Sequence, residues 1–85
     1  MKETWILGVQ VKERMKGATD VQNVLTKFGC SIRTRLGLHE VTDEYCSGAG
    51  LILLELTGDE SEFPKLEKEL MKTEGVQVQK MIFRD

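Results

Sequence analysis

Eighty-five residues suffice for one small domain, 1–85, and leave no room for a separate catalytic or DNA-binding module. A formal net charge of -2 with 31% charged residues supplies no basic footprint, so direct nucleic-acid binding is not expected. The opening stretch "MKETWILGVQVK" is broken by Gln10 and Lys12 and has no small-residue cleavage site after it; neither a signal peptide nor a membrane span is expected, and the expected compartment is the cytoplasm.

Residues 4–12 alternate, with Trp5, Leu7, Val9 and Val11 on one side and Ile6, Gly8 and Gln10 on the other. Period two over that length predicts a strand. "ERMKGATD" breaks the pattern and reads as a loop into a helix, whose free N–H groups and Gly17 would receive a small anion or merely make the turn. Ala18, Val21, Val24, Leu25 and Phe28 then fall at helical spacing in one apolar stripe. Thr19 and Gln22 have the spacing of a capping box, and Gly29 stands where a left-handed C-cap would end the helix.

"IRTRLGLHE", residues 32–40, predicts a second strand, with Ile32, Thr34, Leu36 and Leu38 facing one way and Arg33, Arg35, Gly37 and His39 the other. "EVTDEYCSGAG" is a polar loop, and "LILLEL", apolar on both faces, suits a central strand. A hairpin of 31–38 with 50–56 has its tip near residue 44. About a dozen strand residues at ~3.3 Å each then separate Cys30 from Cys46, against a disulfide limit of roughly 7 Å between Cα atoms. Two reduced thiols are expected.

Asp59 and Ser61 are helix starters, with Glu60 and Glu62 favourable to the helix dipole and Pro64 acceptable in the first turn. Phe63, Leu66 and Leu70 form the buried stripe of this second helix, which Gly75 closes, and "VQVQKMIF" alternates as a last strand. The order β-α-β-β-α-β with right-handed crossovers gives an α+β, ferredoxin-like sandwich: a four-stranded antiparallel sheet in spatial order 4-1-3-2 with both helices on one face.

The helices take Trp5, Leu7, Val9 and Val11. The opposite face then carries Ile6, Gly8 and Gln10, one set from the third strand, and either Met81 and Phe83 or Val78 and Ile82 from the fourth. Apolar groups on an open face mark a subunit interface, and Ile6, Gly8, Met81 and Phe83 are its expected members in a homodimer or higher oligomer. Arg33 and Arg35 are expected on the outward face of the edge strand. There they guard the edge against unwanted pairing or grip a carboxylate or phosphate bidentately, with Gly37 leaving room beside them. Any small ligand is therefore expected to be anionic and to lie between this strand and residues 13–19.

Catalysis would need His39 as base and Cys46 as nucleophile, but no third residue orients the histidine, and the chain has no phosphate loop, "HExxH" or "CxxC". No enzyme activity and no cofactor are expected. For a metal, His39 and Cys46 are legitimate soft ligands, yet a closed structural site normally takes four N/S ligands; a metal-responsive module using these two is an alternative reading.

The element order and "KGATDVQNVLTKFGCSI" resemble the ACT and ACT-like regulatory domains, with Gly17, Val21, Val24, Leu25, Phe28, Gly29 and Ile32 matching in kind. The usual acidic residue and proline before the first Gly are replaced by "RMK", and the Gly-to-Gly interval is a residue short. Over nearly the whole chain, "WILGVQVKER", "IRTRLGLHE", "SGAGLILLELTGD" and "GVQVQKMIF" resemble the small stand-alone iron-only hydrogenase system regulators. These are ACT-like, and similar in fold to the C-terminal domain of the nickel-responsive repressor. The resemblance implies a non-catalytic, oligomeric regulatory or ligand-sensing domain whose effect on transcription would pass through a partner protein. Arg33 and Arg35 occupy the strand where that repressor's nickel histidines would be wanted, so nickel sensing does not carry over. A pure protein–protein interaction module is a further reading.

Overall fold

The computed structural model describes the backbone of residues 2–12, 14–41 and 46–85 and the side chains of 2–12, 19–37 and 50–85. Alternating apolar residues build β1 (Glu3–Val11), β2 (Ile32–Val41), β3 (Cys46–Leu56) and β4 (Val76–Arg84), with α1 (Arg14–Lys27) and α2 (Phe63–Met71) as the crossovers. The sheet order is β2-β3-β1-β4, antiparallel throughout. This is the ferredoxin-like α+β arrangement that the element order predicts, with β1 and β3 central and β2 and β4 at the edges.

The helix side is a closed core. Trp5, Leu7, Val9 and Val11 of β1, Leu54 and Leu56 of β3, Val21, Leu25 and Phe28 from α1 and the turn after it, and Phe63, Leu66 and Leu70 of α2 are all buried together. Trp5 packs on Phe63 at 5.6 Å between ring centroids, a separation at which tilted rings attract beyond their area. Lys80 lies 4.5 Å from the Trp5 ring centroid and pairs with Glu67 at 3.0 Å, closing the β4 edge of this layer. Val76, Val78 and Ile82 belong to this side too, packed against the core; of the two sets considered for the open face of β4, this one is ruled out.

Three local expectations give way to the structure. First, α1 begins at Arg14, so the stretch read as a loop is largely helix and Gly17 lies within the first turn. Arg, Met and Lys are good helix formers, and one glycine costs only about 1 kcal/mol. Thr19 is then interior, and no capping box forms: Gln22 instead accepts from the Thr26 hydroxyl through its carbonyl, at 2.9 Å.

Second, Gly29 is not a left-handed cap. It opens a 3-10 turn, Gly29–Ser31, in which Ser31 N donates to Phe28 O at 2.8 Å. The chain leaves α1 still winding right-handed, so no positive φ is needed. Gly75 does take one (φ +78), in the turn from α2 into β4, where its carbonyl accepts from Lys12 N at 2.8 Å. Before α2 the expected starter caps the 3-10 turn Glu60–Glu62 that leads into the helix: Asp59 Oδ1 accepts from Ser61 N at 2.9 Å and from the Ser61 hydroxyl at 2.7 Å, while Glu62, next to α2 itself, makes no side-chain cap.

Third, β2 carries a bulge. Ile32 pairs with Leu56 but Thr34 with Glu55, so Arg33 is an extra residue with no partner opposite. Beyond it Arg35 pairs with Leu54 and Leu36 with Leu53. Because side chains alternate, one inserted residue exchanges the faces: Ile32 and Arg35 share the helix side, while Thr34 and Leu36 belong to the open side. The expectation that Ile32, Thr34 and Leu36 share a face, and that Arg33 and Arg35 share the outward one, is corrected by this single residue.

Candidate functional site: the open sheet face

Cross-strand pairing places the open-side residues in rows. One row runs Thr34, Glu55, Ile6, Met81; the next Leu36, Leu53, Gly8, Gln79; the next Leu51, Gln10, Gln77; and Phe83 stands opposite Thr4 at the far end. Met81, Phe83 and Leu36 are 54%, 55% and 52% exposed, against 0% for Leu7, Val9 and Leu54 one residue away on their strands or neighbours. Ile6 and Leu53 are half-buried between them. The four residues expected at an interface, Ile6, Gly8, Met81 and Phe83, do lie together on this face.

Sequence reasoning passed over Leu36 as a member of the face and left open which set of the third strand joins it; pairing with β1 selects Leu51 and Leu53. Leu36 was hidden by the bulge, and Leu51 and Leu53 by the apolarity of "LILLEL" on both sides. Gln77 and Gln79 were legible in the alternation of "VQVQ", once Met81 and Phe83 were assigned outward. Thr34 donates its hydroxyl proton to Glu55 Oε1 at 3.0 Å, tying β2 to β3 on the polar margin.

In the middle of the face Gly8, Gln10, Leu51, Gln77 and Gln79 line a shallow depression of about 220 Å³. None of the three amide side chains has a hydrogen-bond partner among the described residues, so on the free chain water solvates them.

Of the residues expected to hold an anion, Arg33 and Arg35 do not share one face of β2. Arg35 reaches over the helix layer, and its Nη2 donates to Gln22 Oε1 of α1 at 2.9 Å. Arg33 is exposed in the bulge. Gly37, opposite Ile52, shares the register side of Arg35 and, among the described residues, has nothing within 4 Å of where a Cβ would stand. Gly17 lies in the first turn of α1, five residues before Gln22 and so about 7.5 Å along the axis from the Arg35 contact.

His39 pairs with Gly50, and Cys46 with Val41, toward the tip of the β2–β3 hairpin; their side chains lie outside the described residues, as do residues 42–45 with Asp43 and Glu44. Among the described residues no three metal-ligating side chains gather. Cys30 is free and exposed.

The helix layer bears a different surface. Lys27, Lys65, Lys68, Lys72, Glu62 and Glu69 ring Phe28 around a cleft of about 340 Å³. Lys27 pairs with Glu69 at 2.8 Å and Lys65 with Glu62 at 2.7 Å. The hydrogen bond from Lys27 holds the Glu69 carboxyl below its ordinary value, and the bond to Glu62 raises the Lys65 ammonium. Such solvated pairs contribute little each, and Lys27 and Lys68 sit in last turns, where cations offset the helix dipole.

No family model matches the chain, and no curated protein does. Among solved structures it is similar to the uncharacterized protein TM1266 from Thermotoga maritima: 26% identity, TM-score 0.80, covering 98% of this chain and all of that one. It is also similar to a formyltetrahydrofolate deformylase from Pseudomonas putida, at 19% identity and TM-score 0.53, over 92% of this chain but 28% of that enzyme. A third likeness is to CPII bound to ADP, AMP and acetate, from Thiomonas intermedia, at 10% identity and TM-score 0.52, covering this whole chain and 94% of that one. The latter two likenesses are of fold alone. Among the described residues no helix is long and apolar enough to cross a membrane.

Proposed function

We propose that the chain is a non-catalytic, ACT-like regulatory or ligand-sensing domain that works as an oligomer, two copies packing open face to open face. The observation that carries this reading is the apolar open face itself, formed by Ile6, Leu36, Leu51, Leu53, Met81 and Phe83 opposite a fully closed helix side. A second copy is the occupant that the dimensions favour. Four strands of about nine residues present a face of about 30 Å by about 19 Å, roughly 600 Å² per copy from strand geometry alone. Two such faces bury on the order of 1,200 Å², the lower end of what a specific interface needs, and sheet-on-sheet packing enlarges the core of a chain this small.

The resemblance to the iron-only hydrogenase system regulators refines the reading to a regulator acting through a partner protein, in the cytoplasm. The likeness to TM1266, over 98% of this chain and all of that one, supports one continuous fold over this length.

Light scattering at tens of micromolar tests the assembly, with a mass of two chains or a multiple of two expected. Ile6→Glu, which sets a carboxylate beside Glu55 and Met81, should yield single chains that retain the helical circular-dichroism signal. A strictly single-chain wild type overturns the proposal. Native mass spectrometry of protein purified without added metal reports any co-purified ligand or metal in the same experiment.

A further inference from the structure

Gly8 sits in the middle of a central strand, where glycine has no side chain to pack and weakens the strand. The usual reasons for a glycine there are absent. Its φ is not positive, and the register runs unbroken through it on both sides, Leu53 on one and Gln79 on the other, so it marks no bulge. A Cβ would meet Leu53 Cδ2 at 3.8 Å and the Gln79 carbonyl oxygen at 3.9 Å, ordinary contact distances, so the fold itself does not exclude alanine. What the missing side chain leaves is the depression. A glycine at such a strand position marks the close approach of another molecule.

The lining defines that molecule. Gln10, Gln77 and Gln79 each offer donors and an acceptor, without a partner among the described residues, while Leu51 supplies an apolar wall and the Gly8 backbone a flat floor. Among the described residues no charged side chain lines the depression, so an ionised ligand would lose its hydration there without a counter-charge. At about 220 Å³ the depression is smaller than most ligand pockets, but two of them facing each other double that volume and reach the usual range. Covering three amides without giving them partners is unfavourable, so a covered face calls for something polar at this spot.

We infer that the Gly8 depression is half of a binding site for a small, flat, uncharged molecule with an amide-like hydrogen-bonding edge, enclosed between the open faces of two copies. The inference rests on the face-to-face assembly proposed above, and its test separates the two. Nicotinamide and uracil serve as uncharged probes and nicotinate as the charged counterpart. They are titrated into 15N-labelled full-length protein while light scattering reports its mass. The expected result is a two-chain species in which the side-chain amide signals of Gln10, Gln77 and Gln79 shift with an uncharged probe, at a Kd on the order of 1 mM, ordinary for so few atoms. Nicotinate should bind at least tenfold more weakly.

Gly8→Val should fill the depression and remove the shifts. Because it also alters the interface, the double variant Gln77→Leu, Gln79→Leu is the sharper control: it should remain paired and bind at least tenfold more weakly. A paired protein whose glutamine amides do not move with either uncharged probe overturns the site and leaves the assembly standing, the amides then pairing with each other across the interface. Equal response to nicotinate and nicotinamide overturns the ligand class. A single-chain protein overturns site and assembly together.

Discussion

The two faces of the sheet are made by the same four strands, one residue out of phase, and they differ in what closes them. On the helix side every large apolar residue of β1 meets a partner from α1, α2 or a neighbouring strand, and Leu7, Val9 and Leu54 lose all contact with solvent. On the other side Met81, Phe83 and Leu36 are no less apolar, and each keeps about half its surface exposed. Composition is therefore not what separates interior from exterior here. The chain supplies two helices, enough to cover one face, and the second face depends on whatever another molecule brings.

That contrast sets the size of the expected mutational effects. Phe63→Ala removes a ring buried against Trp5 and should destabilise the fold by about 3–5 kcal/mol, the usual cost of emptying such a site; urea denaturation measures it. A loss below about 1 kcal/mol would mean the closed side is less tightly packed than its burial indicates. Phe83→Ser removes a ring of similar size from the open face. It should raise the concentration at which copies separate by tenfold or more, while the protomer's own stability, measured below that concentration, changes by less than about 1 kcal/mol. Equal losses from both substitutions would erase the distinction between the faces.

Smaller effects are expected along the margins. Arg35→Ala gives up the hydrogen bond to Gln22 and should cost about 0.5–1 kcal/mol. Arg33→Ala, at a bulge with no partner among the described residues, should stay within about 0.5 kcal/mol. If the two are equal, the exchange of faces across the bulge carries no energetic weight.

The smallest effect is one of pH. Glu3 accepts from Trp5 Nε1 at 2.9 Å and from Arg84 Nε at 2.9 Å, and these contacts, the tryptophan bond foremost, lower its carboxyl below the ordinary value of 4.5. A carboxyl lowered on folding stabilises the native state above its ordinary value, and the contribution is lost as pH falls through the lowered one. Glu3→Gln should therefore lower the plateau near neutrality slightly and flatten the decline below about pH 4.5, the two proteins converging in acid. Parallel acid limbs for wild type and variant would show that the pair contributes nothing.

Much of the site was legible without coordinates, residue by residue. Period two in "TWILGVQVK" assigned Ile6 and Gly8 to one face and Trp5, Leu7, Val9 and Val11 to the other. The same alternation in β4 offered two candidate sets, and pairing with β1 selected Met81 and Phe83. The shared face expected for the two arginines of β2 is where reading by alternation failed. Arg33 and Arg35 stand two residues apart, which in an unbroken strand means one face, but the bulge between Ile32 and Thr34 spoils the count. No residue type announces that bulge, since an arginine bulges no more readily than its neighbours.

Alternation, helical spacing and the Asp59 cap are local properties, carried by residues a few positions apart, and they determined the elements, their order and the ferredoxin-like topology. The start of α1, the register of β2 and the isolation of the Gly8 depression among three amides depend on residues far apart in the chain: Arg35 with Gln22, Gln10 with Gln77 and Leu51. Only tertiary structure decided these, because a strand's pattern states which residues share a face and leaves to its neighbours where that face changes and what stands beside it.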